Sequence, residues 1–377
     1  MAHVCVLSSV HDALDNRVFY REAQSLQRAG HEVTLIAVHD CDETKDGVRI
    51  IGLPRVRRLQ RPRLWRTLLR HAQESRADIY HFHDPELLLV TPWVRWRTGS
   101  PTIYDIHEAY SEFIQVKDYM PGWLRYPVAW VFRWLEPLLA RLQSALVFTD
   151  DQIAAAFTRL DCPKATLYNF PGRSLVDQGV AATENLERRN ATILYLGGLE
   201  RNRGSELMLE AFANVHRQVP AARLLIVGHF MPSQLEDEVR EDAARRGLEN
   251  AVEITGRVPF EEIGQYLRRA AVGWVPWQPV PKNKKNTPTK LFEYMAYALP
   301  IVSSDLPSTQ PFVRAGENGF LVIADDPDAH TRAIVRLLGQ PDEAARMGRA
   351  GQELVQTTWN WDKMEERLLG LYQTLLS

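Results

Sequence analysis

A pair of glycines followed by two arginines is the first group of residues whose types and spacing could do chemistry. Residues 195–204 read YLGGLERNRG and stand between a predicted strand and a predicted helix. Glycine lets a ligand approach the backbone closely, arginine offers paired donors to phosphate oxygens, and a helix N-terminus attracts anions. The segment matches neither G-x-x-x-x-G-K-[ST] nor G-x-G-x-x-G. It indicates a phosphate-binding turn of another kind, and the alternative is a turn without a ligand.

A second polar segment, residues 286–305, reads NTPTKLFEYMAYALPIVSSD. Its predicted helix places Lys290, Glu293 and Tyr294 within one turn of each other, near the helix N-terminus. A carboxylate there cannot hold a phosphate directly, but it can accept hydrogen bonds from paired hydroxyls such as those of a ribose. The alternative is that Glu293 is a surface residue favoured by the helix dipole. That alternative does not explain why the helix runs straight into a strand ending in small polar residues.

Histidines follow predicted strands in the first half of the chain. His107 closes one strand in the sequence YDIHE, and His81, His83 and Asp84 close the preceding strand. A histidine at such a place can be catalytic, or it can be bonded locally to a neighbouring carboxylate. The residue types of His81, His83 and Asp84 also fit a metal site.

These residues belong to a chain in which β-rich runs alternate with helical periods. Unbroken apolar strands are typical of parallel sheets covered by helices on both faces, where ligands bind beyond the carboxyl ends of the strands. A polar linker is predicted at residues 171–190. The first series of strands is predicted at 3–9, 32–38, 79–82, 102–105, 145–148 and 165–168. The second series is predicted at 192–196, 223–227, 252–255, 272–275, 301–303 and 320–322.

Length and composition limit the class of protein. The 377 residues favour two domains, and 45 basic against 47 acidic residues give a formal net charge of −2. This balance argues against a nucleic-acid-binding protein. The three cysteines are widely spaced and support neither a disulfide framework nor a zinc site. Neither a signal peptide nor an apolar run of about 18 residues is found, so a cytoplasmic protein is expected.

The two polar segments of the second half resemble those of the retaining glycosyltransferases of family 4, which transfer sugars from nucleotide-sugar donors. In that family, a loop after the first strand of the second domain holds the donor diphosphate with an arginine and a lysine. Here Gly198 stands at the position of the arginine and Arg203 at that of the lysine, and Arg201 is a candidate replacement for the missing arginine. The family's Glu-x7-Glu motif matches Glu293 at its second position, the ribose ligand, and has Lys285 at its first.

The resemblance implies a full set of site residues. His107 and Arg203 would be catalytic, and the loop after the first strand would face the acceptor, although it could simply cap the next helix. Neither a metal nor an organic cofactor is implied, so His81, His83 and Asp84 would line the cleft or be structural. The acceptor-side residues would be His11, Asp12, Asn16 and Arg17. The donor-binding residues would be Gly197, Gly198, Arg201, Arg203, Arg257, Val258, Asn286, Thr287, Lys290, Leu291 and Glu293.

The fold implied by the resemblance is α/β of the GT-B type, with two Rossmann-like doubly wound domains facing a central cleft. Residues 1–172, joined by the C-terminal helix 359–377, would form the acceptor-side domain, and residues 190–358 would bind the nucleotide sugar. The implied activity is retaining, metal-independent transfer of a hexose from a UDP- or GDP-sugar to a glycan or lipid-linked acceptor, in polysaccharide or glycoconjugate synthesis of a bacterium. Two alternatives stay open: a nucleotide-sugar 2-epimerase of the same fold, and a non-catalytic nucleotide-sugar-binding protein.

A basic stretch suggests one further partner. Residues 55–70 carry seven arginines and no acid, with leucine and tryptophan between them, and six of the ten tryptophans lie between residues 65 and 134. Basic residues mixed with tryptophan and leucine can bind an anionic membrane surface, here the inner face of the plasma membrane. The alternative is a solvated basic helix beside a buried core.

Overall fold

The computed structural model describes residues 1–57, 60–116, 120–182 and 189–377, which divide into two compact units. The first unit comprises Met1–Asn169 together with Trp361–Ser377, and the second comprises Phe170–Asn360. Each unit is built on one sheet, and neighbouring strands are parallel in all but one pair.

The first unit contains an eight-stranded sheet. Its central strands are buried along almost their whole length, as their unbroken apolar sequences predict. The strands are β1 (His3–Asp12), β2 (Glu32–Val38), β3 (Glu43–Lys45), β4 (Val48–Leu53), β5 (Ile79–Phe82), β6 (Thr102–Ile106), β7 (Ala145–Phe148) and β8 (Lys164–Thr166). Their order in the sheet is β3-β4-β2-β1-β5-β6-β7-β8, and only the β3–β4 pair is antiparallel.

Helices connect these parallel strands, because a parallel pair needs a crossover. The first helical segment begins as a π-helical turn, Val18–Ala23, before the α-helix takes over. The α-helices of this part of the chain are α1 (Gln24–Arg28), α2 (Pro62–Ser75), α3 (Thr91–Thr98), α4 (Tyr110–Gln115), α5 (Gly122–Ala140) and α6 (Asp151–Ala154).

The second unit contains a six-stranded parallel sheet, and its core packs around the fully buried Trp274. Its strands are β9 (Thr192–Leu196), β10 (Arg223–Val227), β11 (Val252–Gly256), β12 (Val272–Val275), β13 (Ile301–Ser304) and β14 (Gly319–Val322), in the order β11-β10-β9-β12-β13-β14. Its helices are α7 (Arg173–Ala181), α8 (Ser205–Gln218), α9 (Gln234–Arg245), α10 (Ile263–Arg269), α11 (Pro281–Lys285), α12 (Lys290–Ala296), α13 (Pro327–Gly339) and α14 (Pro341–Thr357).

The chain then returns to the first unit through α15 (Trp361–Leu376). The Trp361 indole donates to the Ser25 hydroxyl at 2.9 Å, and the Tyr372 hydroxyl lies 2.8 Å from Nδ1 of His81. Both side chains are buried, so α15 is part of the core of the first unit.

Among the segments that differ from the sequence predictions are the predicted linker and one edge of the first sheet. The residues predicted as an irregular linker contain α7, where the Cβ of any residue replacing Gly179 would lie 2.0 Å from the Ala296 carbonyl oxygen. This close approach packs α7 against α12 and explains a helix in a polar stretch. The strands β3 and β4 were not predicted. They form a hairpin at Asp46 and Gly47, both with positive φ, and an Asp-Gly pair is a known signal for such a turn.

None of the helices in the described ranges combines the length and the apolar character needed to cross a membrane.

Candidate active site

The turn after β9 is shaped by two glycines with positive φ. Gly197 has φ of +99° and Gly204 has φ of +86°. A Cβ at Gly204 would lie 2.0 Å from the carbonyl oxygen of Pro276, so only glycine fits where α8 begins. The sequence prediction of a strand, a glycine turn and a helix agrees with this geometry.

Arg203 lies inside this turn. Its Nη1 donates to the Gly198 carbonyl oxygen at 2.8 Å, and its Nη2 lies 3.4 Å from the Glu200 carboxylate. The guanidinium also stacks over the Trp277 ring at 5.4 Å from the ring centroid. Its Nε is buried and has no hydrogen-bond partner among the described residues. A fixed guanidinium with an unused donor is suited to bind an oxyanion.

Lys290 is the first residue of α12 and is buried. Its Nζ lies 3.6 Å above the centroid of the Tyr195 ring, and within the described ranges it makes no hydrogen bond. Burial, and next the charge of Arg203, hold the pKa of Lys290 well below its ordinary value. The ammonium lies beside Gly197, since a Cβ there would be 3.6 Å from Nζ. An anion at this turn would therefore neutralise a costly buried charge.

The other predicted residues around α12 have different environments. Glu293 is half-buried in the first turn of the helix, and its charge attracts Lys290. Asn286 and Thr287 are half-buried in the preceding loop, where the Thr287 hydroxyl donates to the Ser308 carbonyl at 3.3 Å. The side chain of Leu291 is fully buried in the protein, so it is not available to a ligand.

Two predicted arginines lie at exposed places. Arg201 forms ion pairs with Glu206, at 3.3 Å, and with Glu238. The guanidinium of Arg201, which was predicted to replace the family's missing arginine, is thus paired with these two acids. Arg257 is exposed and Val258 half-buried, and both follow β11.

Two residues near this turn were not predicted. The buried Lys282 of α11 has its Nζ 3.8 Å from the Glu200 carboxylate. The His229 ring follows β10 and faces Gly198, because a Cβ at Gly198 would lie 3.1 Å from its Cε1. Residues 281–285 read PKNKK, and this group of lysines was the feature of the sequence that could have pointed to Lys282.

In the first unit, Arg17 occupies a buried ion network. Its guanidinium binds Asp105 through two nitrogens at 3.0–3.1 Å and lies 2.9 Å from Glu22. It also donates to the Leu167 carbonyl at 2.7 Å and to the Asn169 side chain at 3.0 Å. Arg17 was predicted to face the acceptor. The structure instead makes it a residue that ties β6 to the end of the sheet.

Four buried residues around this network have the donor types of a metal site. Ligand atoms of Glu22, His81, His83 and Asp105 all lie within 4.8 Å of one another. Although burial opposes it, Arg17 holds the pKa of Asp105 well below its ordinary value, whereas burial raises that of Glu22. Asp105 is thus the anion that pairs with Arg17, and burial favours the protonated form of Glu22. This charge balance does not depend on an ion, and we keep the structural interpretation of His81 and His83.

His107 lies at the edge of the same network. Its Nε2 is 3.0 Å from Nδ1 of His83 and 3.5 Å from the Asp105 carboxylate, and its side chain is 12% exposed. Burial lowers the pKa of His107 to about 4, in spite of Asp105. The imidazole is therefore neutral at physiological pH and can form hydrogen bonds without carrying a charge.

The C-terminal end of β1, which extends three residues beyond the predicted strand 3–9, brings His11 next to His107, with ring centroids 4.9 Å apart. Burial lowers the pKa of His11, but Asp15 and Asp84 outweigh it and raise the value above the ordinary one. Asp84 also fixes this end of β1, accepting from the Ser9 backbone N–H at 2.6 Å.

The remaining two predicted acceptor-side residues are Asp12, the last residue of β1, and Asn16, which follows the strand. The exposed Asp12 pairs with Arg55, and Asn16 is half-buried.

Comparison with known proteins matches both units to glycosyltransferase families. Residues 190–340 match the sequence model described as "Glycosyl transferases group 1", and residues 16–169 match the "Glycosyl transferase 4-like domain". These two matches cover most of the chain, one in each unit.

Individual proteins agree with these matches. Phosphatidyl-myo-inositol mannosyltransferase of Mycobacterium leprae is 25% identical over 79% of this chain and 74% of its own length. GDP-mannose-dependent alpha-(1-6)-phosphatidylinositol monomannoside mannosyltransferase of Mycobacterium tuberculosis is 24% identical over 66% of this chain and 65% of its own length. The solved structure of sucrose-phosphate synthase from Thermosynechococcus elongatus has a TM-score of 0.76 at 20% identity, covering 100% of this chain and 99% of that chain. The chain thus belongs to the group 1 glycosyl transferases and is a glycosyltransferase with the GT-B fold.

Proposed function

We propose that this glycosyltransferase moves a hexose from a UDP- or GDP-sugar to a lipid-linked or glycan acceptor, with retention of the anomeric configuration. The observation that carries the proposal is the buried Lys290 ammonium beside Arg203 and the glycine turn. A diphosphate at this turn would accept hydrogen bonds from both side chains and remove the cost of their burial. Glu293, in the first turn of α12, is proposed to accept hydrogen bonds from the ribose.

The proposed chemistry follows from where charge develops. As the bond between the sugar and the diphosphate breaks, negative charge grows on the leaving oxygen, and fixed cations stabilise that charge more than they stabilise the bound donor. Arg203 is held by Gly198 and Trp277, so it needs no rearrangement at that moment. We propose a front-face substitution, in which the leaving phosphate oxygen takes the proton of the acceptor hydroxyl.

In the first unit, we propose His107 as the catalytic residue that binds the reacting sugar. Its lowered pKa makes it a neutral hydrogen-bond partner for a hydroxyl. His11, Asp12 and Asn16 are proposed for the acceptor side. The relatives are named for mannosyl transfer to phosphatidylinositol lipids, and one for dependence on GDP-mannose. They support a lipid-linked acceptor and make GDP-mannose the first donor to test. The proposed setting is bacterial glycoconjugate or polysaccharide synthesis in the cytoplasm, at the membrane.

A donor panel tests the proposal. UDP-glucose, UDP-N-acetylglucosamine, UDP-galactose and GDP-mannose are compared by thermal shift, and the best binder is then incubated with and without lipid and glycan acceptors. The expected result is nucleotide release that depends on an acceptor, with a product that keeps the anomeric configuration. Isomerisation of the donor without an acceptor would show an epimerase. Donor binding with no turnover, hydrolysis included, would show a non-catalytic binding protein.

A further inference from the structure

Helix α5 exposes a row of large apolar side chains on one side. Trp123, Trp130 and Trp134 are 65–78% exposed, and they recur at the spacing that places side chains on one side of a helix. The opposite side of α5 is the packed one, with Ala129, Glu136 and Ala140 buried. The exposed side is completed by further large apolar residues, namely Tyr126, Val131, Leu135 and Leu138.

Helix α3 continues this surface. Trp93 and Trp96 are exposed and contact each other edge to face, with ring centroids 5.4 Å apart. The guanidinium of Arg95 donates to the carbonyl oxygen of Leu142, directly after α5, at 2.7 Å. This hydrogen bond holds α3 next to the C-terminal end of α5. We call the exposed residues of the two helices the tryptophan face.

The tryptophan face is too large to be ordinary protein surface. Its five tryptophans are on average about two-thirds exposed, so at roughly 250 Å² each they present on the order of 800 Å². The largest exposed apolar patch of a typical soluble monomer is about 300–600 Å². Such a surface is expected to have a partner.

The exposed charges of α3 and α5 are positive, and the exposed acid of the neighbouring α2, Glu74, pairs with Arg70 and His71 of its own helix. Arg97 lies over the rings of both Trp93 and Trp96, and Arg133 and Arg141 are exposed on or directly after α5. Neither α3 nor α5 carries an exposed acid, since α3 has none and Glu136 of α5 is buried. Exposed arginines of α2 extend the positive charge, because α2 packs against α3.

The positive charge of the tryptophan face helps to decide whether a second copy of the chain or a lipid bilayer binds there. A second copy of the chain would bring arginine against arginine, which disfavours a dimer through this face. The headgroup region of an anionic bilayer offers phosphates to arginine and an apolar boundary to tryptophan and leucine at the same depth. We propose that the tryptophan face of α3 and α5 docks on the surface of an anionic lipid bilayer.

The proposed membrane contact lies on α3 and α5, whereas the sequence predicted it at residues 55–70. In α2 the apolar residues Leu64, Leu68 and Ala72 are buried, so this helix offers cations but few anchors. Arg58 and Leu59 of that stretch lie outside the described residues. The inference deepens the proposed function, on which its biological meaning rests, because it gives the enzyme a way to reach a lipid-linked acceptor.

Co-sedimentation with vesicles tests the docking. Wild-type protein is mixed with vesicles of phosphatidylcholine alone, and of phosphatidylcholine with an equal amount of phosphatidylglycerol. We expect binding to the anionic vesicles, which falls at high salt. Trp130→Ser/Trp134→Ser should lower the partition coefficient at least about tenfold, since two exposed anchors are lost. Arg97→Gln/Arg133→Gln should lower it by about fivefold for each arginine removed.

Matched variants of the second unit serve as controls. Phe260→Ser/Ile323→Ser removes two exposed apolar side chains and Arg332→Gln removes an exposed arginine, and both should bind vesicles like the wild type. Absence of binding to anionic vesicles, or binding that ignores the tryptophan variants, overturns the inference. If light scattering shows that the wild type is a dimer and that the tryptophan variants are monomers, the inference is also overturned, in favour of self-association.

Donor binding is measured on the same samples, without vesicles. Because these substitutions lie outside the donor site, Trp130→Ser/Trp134→Ser should keep the wild-type donor affinity. Docking without acceptor-dependent turnover would count against the proposed function alone. Turnover with a water-soluble acceptor but no docking would count against this inference alone.

Discussion

Arg203 and Glu293 should each hold a different part of the donor. Arg203 is fixed against the glycine turn, and Glu293 lies in the first turn of α12. We expect Arg203→Ala and Glu293→Ala each to weaken donor binding by at least about tenfold, about 1.4 kcal/mol, the scale of one lost charge-assisted contact. Isothermal titration with the best donor measures this.

Arg201→Ala is the matched control for that experiment. Arg201 is exposed and paired with Glu206 and Glu238, so its loss should change donor affinity by less than about twofold. Wild-type affinity in both Arg203→Ala and Glu293→Ala would refute the donor site. A loss in Arg201→Ala as large as in Arg203→Ala would show that Arg201 leaves its acids to bind the donor.

The lowered pKa of Lys290 predicts a pH dependence of donor binding. Burial and Arg203 disfavour the charged ammonium in the free protein, whereas a bound diphosphate favours it, so the pKa of Lys290 rises on binding. Above the pKa of the free protein, binding then takes up a proton, and affinity falls with rising pH by at most about tenfold per pH unit. Titration from about pH 6 to about pH 9 should show this fall in the wild type.

Two substitutions of Lys290 isolate its contribution. Lys290→Met should bind the donor more weakly, and the part of the pH dependence due to this proton should vanish. Lys290→Arg keeps its charge over the whole range and should flatten the profile in the same way. An unchanged pH profile in both variants would assign the proton to another group.

At the scale of elements, the junction between β9 and α8 depends on Gly204. Alanine there would need a positive φ and would place its Cβ 2.0 Å from the Pro276 carbonyl. We expect Gly204→Ala to destabilise the protein by about 3 kcal/mol or more, and to lower donor affinity because Arg203 is displaced. Chemical unfolding and donor titration measure the two effects.

Gly247→Ala is the control for backbone strain alone. Gly247 has φ of +69° in the same unit, and a Cβ there meets nothing within 4 Å. The Gly247→Ala substitution should lower the unfolding free energy by about 1–2 kcal/mol and leave the donor affinity unchanged. Equal losses of stability in the two variants would mean that the contact with Pro276 relaxes at little cost.

Helix α5 is attached to the sheet by a protonated carboxyl group. The Tyr104 hydroxyl donates to Glu136 at 2.8 Å, and burial raises the pKa of Glu136 to about 8. A raised pKa in the folded state means that stability is present below the ordinary value of 4.5 and is lost as pH rises towards 8. The loss is at most about 1.4 kcal/mol per pH unit.

Glu136→Gln removes this titration while keeping an acceptor for Tyr104. The unfolding free energy of the variant relative to wild type should therefore increase with pH between about 5 and about 8, and then level off. Urea unfolding at several pH values measures it. Parallel pH profiles for the two proteins would show that Glu136 is already ionised in the folded state.

Some strands and helices could be predicted from the sequence and others could not, for physical reasons. Strands β2, β5 and β9 were predicted with the bounds they have, because buried parallel strands are unbroken apolar runs. Strand β3 was missed because it is a short edge strand of three polar residues, and β4 was missed because a polar residue and a glycine interrupt its apolar run. Helix α7 was missed because its packing depends on a close approach at Gly179 that no local pattern reveals.

The site shows the same limit. The glycine turn and α12 were found because their chemistry is local in sequence. The burial of Arg17 could not be predicted, because its ion partner Asp105 is 88 positions away in the chain. The family and the GT-B fold predicted from the motifs are confirmed.

At the scale of the whole molecule, the first unit depends on residues that come after the second. Tyr372 of α15 is buried, with its hydroxyl 2.8 Å from Nδ1 of His81. Tyr372→Phe should cost about 1–2 kcal/mol of stability, since a buried histidine nitrogen loses its partner. Tyr372→Ala should cost about 3–5 kcal/mol, because it also leaves a cavity. Denaturant unfolding measures both, with the exposed Tyr126→Phe as control. Equal stability of all three variants would contradict a core role for α15.

The return of the chain through α15 also sets an order of events at the ribosome. Domains commonly fold as they emerge, the N-terminal one first. Here residues 170–360 are continuous and can complete their sheet and core as soon as they have left the exit tunnel. The first unit is synthesised earlier but still lacks α15. His81 and Ser25 therefore lack their hydrogen-bond partners in α15 until the second unit has been synthesised. The half that is translated first is therefore the half that finishes folding last.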